Sequence, residues 1–131
     1  MMDWPYTSYS EAEFALDIDS TENILSQYRK LPPSWYRAPF GRINKVMQKV
    51  LNGRKMNHVV CDAFANDTAI PDAYWISQYL LKRVKTGSVI LIHMPEKGVR
   101  EWNLEAMRLT LNGLVKRNLK IVNLTELQNR L

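Results

Sequence analysis

With 131 residues, 46% of them hydrophobic and 24% charged, the chain has the length and mixture of one globular domain able to bury a core. Its single cysteine, Cys61, excludes an internal disulfide and a cysteine-cluster metal site, and no run approaches the roughly 18 apolar residues of a membrane helix. The net charge of +5 is uneven: residues 1–30 hold six acids against Arg29 and Lys30, net −4, and the remainder holds sixteen bases against seven acids, net +9.

A basic body of this kind can attract polyanions. The bases in "KRVK", "NGRK" and "KRN", however, fall at predicted helix ends and turns, where cations complement the helix dipole, so nucleic acid is not the expected partner. The start, "MMDWPYTSYSEAEF", lacks the basic flank and apolar stretch of a secretion signal, which leaves the compartment open.

The first predicted element is a helix in "SEAEFALDIDSTENILSQY". Ser10 and Glu13 have capping-box spacing, and Phe14, Ile18, Thr21, Leu25 and Tyr28 share one face. In "PPSWYRAPFG" two prolines forbid helix, Trp35 and Tyr36 favour a short strand ending at Arg37, and Pro39 with Gly41 makes a turn. Ile43, Val46, Met47, Val50 and Leu51 give a second helix that stops near Gly53. "HVVCDAF" reads as a strand ending at Asp62. Pro71 then suits a first helical position, and Trp75, Ile76, Tyr79, Leu80 and Val84 make a helical stripe closed by Gly87.

"SVILI" is apolar at successive positions, the pattern of a parallel strand buried on both faces, and it ends at His93. Leu104, Met107, Leu111, Leu114 and Val115 define a further helix, with Asn118 placed for the left-handed position after it. "LKIVNL" reads as a last strand ending at Asn123, and Thr125 as the cap of a short terminal helix. A helix followed by four strand-and-helix repeats predicts an α/β fold with about four parallel strands and flanking helices.

In parallel α/β folds chemistry gathers at the carboxyl ends of the strands. Arg37, Asp62 and His93 stand at three of the four predicted ends, and all can bind, orient or transfer protons. Each also has a structural reading, as a surface ion pair, a turn cap and an edge residue. Trp35, Trp75, Tyr79 and Trp102 fit a core better than a sugar platform, and His58, at the far end of its strand, fits the surface.

These residues carry a resemblance. "WYRAPFG" resembles the "R-x-P-[YF]-G" motif of the NodB-homology polysaccharide deacetylases, carbohydrate esterase family four, and "GSVILIHM" their "G-S-[IV]-I-L-[LI]-H" motif. "GLVKRNLKIVNLTEL" is similar to their tail, and "VVCDAFANDTAIPDAYWISQYLLKRVKTG" to the segment that carries their aspartate motif. The ordered match runs from about Trp4 to Leu127.

The resemblance implies one polysaccharide deacetylase-like domain over residues 1–131, a partial (β/α) barrel. It further implies hydrolysis of the acetamide C–N bond of N-acetylated poly- or oligosaccharides with zinc or another divalent metal. His93 matches the histidine acid, Leu91 the apolar wall beside the acetyl methyl, and Arg37 the arginine that positions the base. Asp62, or else Asp67, matches the aspartate that sets the histidine's protonation; Phe40 and Trp102 are candidate sugar contacts. Family members are often secreted or bound to the cell envelope.

The family's "T-F-D-D" and "H-[ST]-x-x-H" motifs do not occur, and with only His58 and His93 in the chain a site of two histidines and one carboxylate cannot be assembled. No metal ligand is therefore assigned. Met94 stands where the family commonly has Asp, and Asn118 where it prefers Gly. Two accounts fit: an N-terminally truncated deacetylase, inactive by itself, or a shortened homologue that binds carbohydrate or a partner without turnover. Barrels normally need about 200 residues or more, and four strands leave open edges for a missing segment or partner to cover, which favours the first.

Overall fold

A computed structural model describes residues 6–28 and 32–130, so Trp4, where the resemblance begins, lies outside the described residues. The chain forms two compact units, one reaching Val60 and the other starting at Cys61. Each has its own apolar cluster.

In the first unit a short 3-10 turn, Tyr6–Ser8, leads to α1, Glu11–Ser26. The capping box forms as expected: the Ser10 hydroxyl accepts the Glu13 N–H at 3.3 Å, and the Glu13 carboxylate accepts the Ser10 N–H at 2.8 Å. Phe14 and Ile18 are buried and Leu25 is half-buried. Thr21 is exposed, and Tyr28, 83% exposed, falls off the expected stripe because the helix has ended at Ser26.

Strand β1, Trp35–Tyr36, pairs in parallel with β2, Asn57–His58, and between them a 3-10 turn, Pro39–Gly41, leads into α2, Lys45–Gly53. Asn44 caps α2 by accepting the Met47 N–H at 2.8 Å and also donates to the Thr7 carbonyl at 3.0 Å. Met47, Val50 and Leu51 pack with Phe14, Ile18, Ala38 and Met56.

The second unit pairs β3, Ala63–Phe64, in parallel with β4, Ile90–Leu91. The expected single strand "HVVCDAF" is thus two strands, β2 and β3. The reason is a change of hydrogen-bonding partner: Val59 N–H still bonds to Tyr36, whereas the Asp62 and Ala63 N–H groups bond to the Val89 carbonyl. "SVILI" is half-buried rather than buried on both faces, and β4 pairs on one side only among the described residues. "LKIVNL" forms no strand there either, because a parallel ladder needs a neighbour within about 5 Å and none pairs with it.

Helix α3, Ala73–Arg83, is capped by Asp72 rather than opened by Pro71, which lies one residue outside the cap. Ile76, Leu80 and Val84 are buried as expected, but Trp75 is 41% exposed and stacks on Tyr79 at 4.9 Å, with Arg83 over the Tyr79 ring. Helix α4, Trp102–Lys116, buries Asn103, Ala106, Thr110 and Leu114, whereas the expected Leu104, Leu111 and Val115 are exposed. Close approach to α3 selects small residues: a methyl added at Gly113 would lie 2.4 Å from Leu81. Asn118 takes the left-handed position with φ 56°. Asn123, not Thr125, caps α5, Leu124–Gln128, by accepting the Glu126 N–H at 2.8 Å. No helix among the described residues is long and apolar enough to cross a membrane.

Candidate functional site

Because β3 and β4 run in parallel, the residues that follow them emerge at the same end of their sheet. His93 follows β4 by two positions and Asp67 follows β3 by three. The connecting turn is local: Asn66 adopts φ 49°, a left-handed conformation that Asn tolerates well, and its carbonyl accepts the N–H groups of Ala69 and Ile70. Asp67 is thereby turned inward, and its side chain is only 2% exposed.

A carboxylate so buried must be hydrogen-bonded. Asp67 Oδ2 accepts the His93 backbone N–H at 2.7 Å and the Asn103 Nδ2 at 2.7 Å, and Oδ1 lies 3.1 Å from His93 Nδ1. Trp102 Nε1 donates to the Asp67 carbonyl at 2.9 Å, and Asn103 Nδ2 also donates to the His93 carbonyl at 3.0 Å. The contact with Asp67 favours the tautomer with the proton on Nδ1, which leaves Nε2 as the ring nitrogen free to exchange a proton. The His93 side chain is about one-third exposed, so that chemistry is accessible.

Asp62 does not join His93. It precedes β3, at the opposite end of the pair of strands, where it accepts the Ser88 hydroxyl at 2.8 Å and the Val89 N–H at 2.7 Å. Burial pushes its carboxyl up, but these bonds and nearby Lys85 outweigh that and hold it below the usual range. The assignment of Asp62 followed from reading residues 58–64 as one strand; with that strand divided, the aspartate beside His93 is Asp67.

Leu91, the last residue of β4, is half-buried and registers with Phe64. Trp102 is half-buried against the second apolar cluster while its ring N–H is held by Asp67. In the other unit, Arg37 follows β1, is exposed, and reaches the Ala38 carbonyl at 3.5 Å. Phe40, 64% exposed, has φ 55° within the turn after it. His58 is not a plain surface residue: it is half-buried, its Nε2 is buried without a partner, and burial pushes its pKa down. Sequence reading missed Asn103; an asparagine in the first turn of a helix carries no signal that separates it from a surface polar residue.

Among the described residues, no three His, Cys, Asp or Glu side chains gather closely enough to hold a metal ion. The donor set explains this. His93 Nδ1 faces Asp67, whose oxygens are taken up by His93 and Asn103, and Asp62 is bonded to Ser88 and Val89. These residues do not fit a divalent-metal site.

No family model and no curated protein matches the chain in sequence. Solved structures do match its fold. A peptidoglycan deacetylase of Bacillus subtilis aligns at 20% identity and TM-score 0.84 over 97% of this chain and 59% of its own. A family 4 carbohydrate esterase of Streptomyces lividans aligns at 21% identity and TM-score 0.78 over 90% of this chain and 59% of its own. A family 4 pseudoenzyme of Bacillus anthracis aligns at 18% identity and TM-score 0.81 over 92% of this chain and 41% of its own. The chain therefore has the fold of the carbohydrate esterase family 4 deacetylase domains, and it spans less than two-thirds of the length of each of these three.

Proposed function

We propose that the chain is a polysaccharide deacetylase-like domain in which His93 and Asp67 address the acetamide of an N-acetylated glycan. The observation that carries this reading is the buried Asp67 carboxylate set against Nδ1 of a one-third-exposed His93 at the ends of two parallel strands. Cleavage of an acetamide C–N bond expels an amine that must be protonated as it leaves. A histidine protonated on both ring nitrogens supplies that proton from Nε2 and returns to the Nδ1–H form, and an adjacent carboxylate stabilises the imidazolium before it is spent. On the motif likeness, Leu91 lines the acetyl methyl and Trp102 contacts sugar; Arg37 and Phe40, in the first unit, stand at the motif positions that in the family orient the base and contact sugar. The parallel pairs and their helices support the finer description as part of a (β/α) barrel.

Proton donation alone does not hydrolyse an amide, since water must also be activated. The described residues offer no group of metal ligands for that task. We therefore propose that the chain by itself does not turn acetamide over; the alternative reading is a module that binds carbohydrate or a partner without catalysis. A non-hydrolytic role is compatible with this fold, because the Bacillus anthracis neighbour is a pseudoenzyme. A cell-envelope or extracellular setting would follow from such a ligand.

Acetate release from N-acetylglucosamine oligomers and peptidoglycan fragments, with and without added zinc, tests the absence of turnover. The expected result is no release above a His93→Ala control. Tryptophan fluorescence titrated with the same oligomers tests binding, with saturable quenching that the non-acetylated oligomers do not produce. Release above the control would overturn inactivity, and a flat titration at millimolar sugar would overturn binding.

A further inference from the structure

We infer that Asn103 is a positioning residue for the His93–Asp67 pair, holding the carboxylate and the histidine backbone so that Nε2 is the nitrogen presented outward. The inference rests on the reading of His93 as the proton-transfer residue. Asn103 lies in the first turn of α4 and is fully buried. Its single amide nitrogen donates to Asp67 Oδ2 at 2.7 Å and to the His93 carbonyl at 3.0 Å, which ties the segment after β3 to the segment after β4.

The amide orientation is forced. Both neighbours are acceptors only, so a flipped amide would set Oδ1 against a carboxylate and a carbonyl. In the orientation that remains, Oδ1 is buried without a partner. Such an oxygen is unfavourable, and an apolar side chain of similar size would avoid it. What an apolar side chain could not do is donate to two loops at once.

The consequence concerns the carboxylate. Oδ2 is held by Asn103 and by the His93 backbone N–H, and this sets the carboxylate so that Oδ1 at 3.1 Å and Oδ2 at 3.2 Å both face the ring nitrogen. Of the charged groups around the histidine, Asp67 comes from the loop after β3. Arg100, from the same loop as His93, donates Nε to the Met94 carbonyl and pairs with Glu96 at 2.8 Å. Asn103 is the uncharged contact from α4, so its loss changes geometry and donor count without changing charge.

The test reads the tautomer of His93 in the full chain by two-bond proton–nitrogen couplings of the imidazole, at a pH where the ring is neutral. His58→Phe identifies the remaining histidine signal. The parent is expected to show the proton predominantly on Nδ1. Asn103→Leu should reduce that share to about half or less, towards the Nε2–H form that an unconstrained histidine side chain favours, and Asp67→Asn should move it in the same direction. An unchanged tautomer in a folded Asn103→Leu chain overturns the inference. If the leucine variant does not fold, Asn103→Ser, which keeps one donor, is expected to lose part of the Nδ1–H share; no loss there overturns the inference equally. The measurement involves no acetate release, so absence of turnover leaves the positioning role standing, and an unmoved tautomer removes it even in a chain that hydrolyses.

Discussion

Asp67 Oδ1 lies 3.1 Å from His93 Nδ1 while Oδ2 of the same carboxylate accepts the His93 backbone N–H, so one buried side chain grips both the ring and the main chain of its partner. Removing that carboxylate strands the His93 N–H and one Asn103 donor in a buried site. Asp67→Ala is expected to lower unfolding free energy by about 2–4 kcal/mol, because several donors are left unsatisfied together. Asp62→Ala, which removes an exposed carboxylate with two partners, should cost about 1 kcal/mol. Urea denaturation of the two variants measures the contrast. Equal costs would contradict the assignment of the buried network to Asp67.

The helix order, the capping box of α1, the face of α2 and the position of His93 after a parallel strand were all legible, since each depends on local periodicity or cap chemistry. Asp67 was less legible because the break within residues 58–64 is decided by which distant strand each N–H meets, a non-local fact. Asn66 immediately before it, a residue type that favours turns and is left-handed here, was a local hint. The α4 face was misread because hydrophobicity points to Leu104, Leu111 and Val115, whereas close packing against α3 favours Ala106 and Gly113. Asp72 was a better cap than Pro71 on side-chain chemistry alone, and the same holds for Asn123 over Thr125.

In the first unit, the Tyr36 hydroxyl and His58 Nε2 are both buried without hydrogen-bond partners, with ring centroids 6.4 Å apart. Burial is the main cause that pushes Tyr36 up to about 12 and His58 down from its ordinary value. A histidine whose folded pKa is depressed resists protonation, so the unfolded chain binds more protons below about pH 6.5 and stability falls as pH drops through that region. A tyrosine whose folded pKa is raised resists ionisation, so stability falls as pH rises above about 10. His58→Phe should flatten the loss between pH 7.5 and 5.5, and Tyr36→Phe the loss between pH 9.5 and 11. Thermal melts across these windows decide it; a parent profile that Phe leaves unaltered at either position would contradict the burial argument for that residue.

Ser10 supplies one side-chain acceptor to the first turn of α1 and orients Glu13, whose carboxyl is held below its usual range by the Ser10 hydroxyl and backbone N–H. Ser10→Ala should lower stability by about 1 kcal/mol, the usual cost of losing an N-cap. Ser10→Asp restores an acceptor and should recover most of it. Denaturant midpoints for the three chains provide the measurement, and an alanine variant as stable as the parent would show that the cap contributes nothing.

Gly113 decides how closely α4 approaches α3. A methyl built on it would stand 2.4 Å from Leu81 Cδ1 and 2.7 Å from Cδ2, well inside van der Waals contact. Two effects oppose one another in Gly113→Ala. Helix propensity favours alanine by about 1 kcal/mol, and overpacking costs about 1–3 kcal/mol because Leu81 must leave its place beside the second apolar cluster. Leu81 Cγ also lies at 3.1 Å, so the side chain has to move from its branch point and not only at its tip, and Gly113→Ala is expected to be destabilising in the parent chain. In a Leu81→Ala background the obstructing atoms are gone and only propensity remains, so the same substitution should there be stabilising. The sign therefore reverses between backgrounds, and the double-mutant cycle should show a favourable coupling of about 1–3 kcal/mol between the two alanines. Urea unfolding of the four chains measures it. If Gly113→Ala stabilises the parent, Leu81 has moved aside at little cost, and glycine at this position is not what permits the helices to pack.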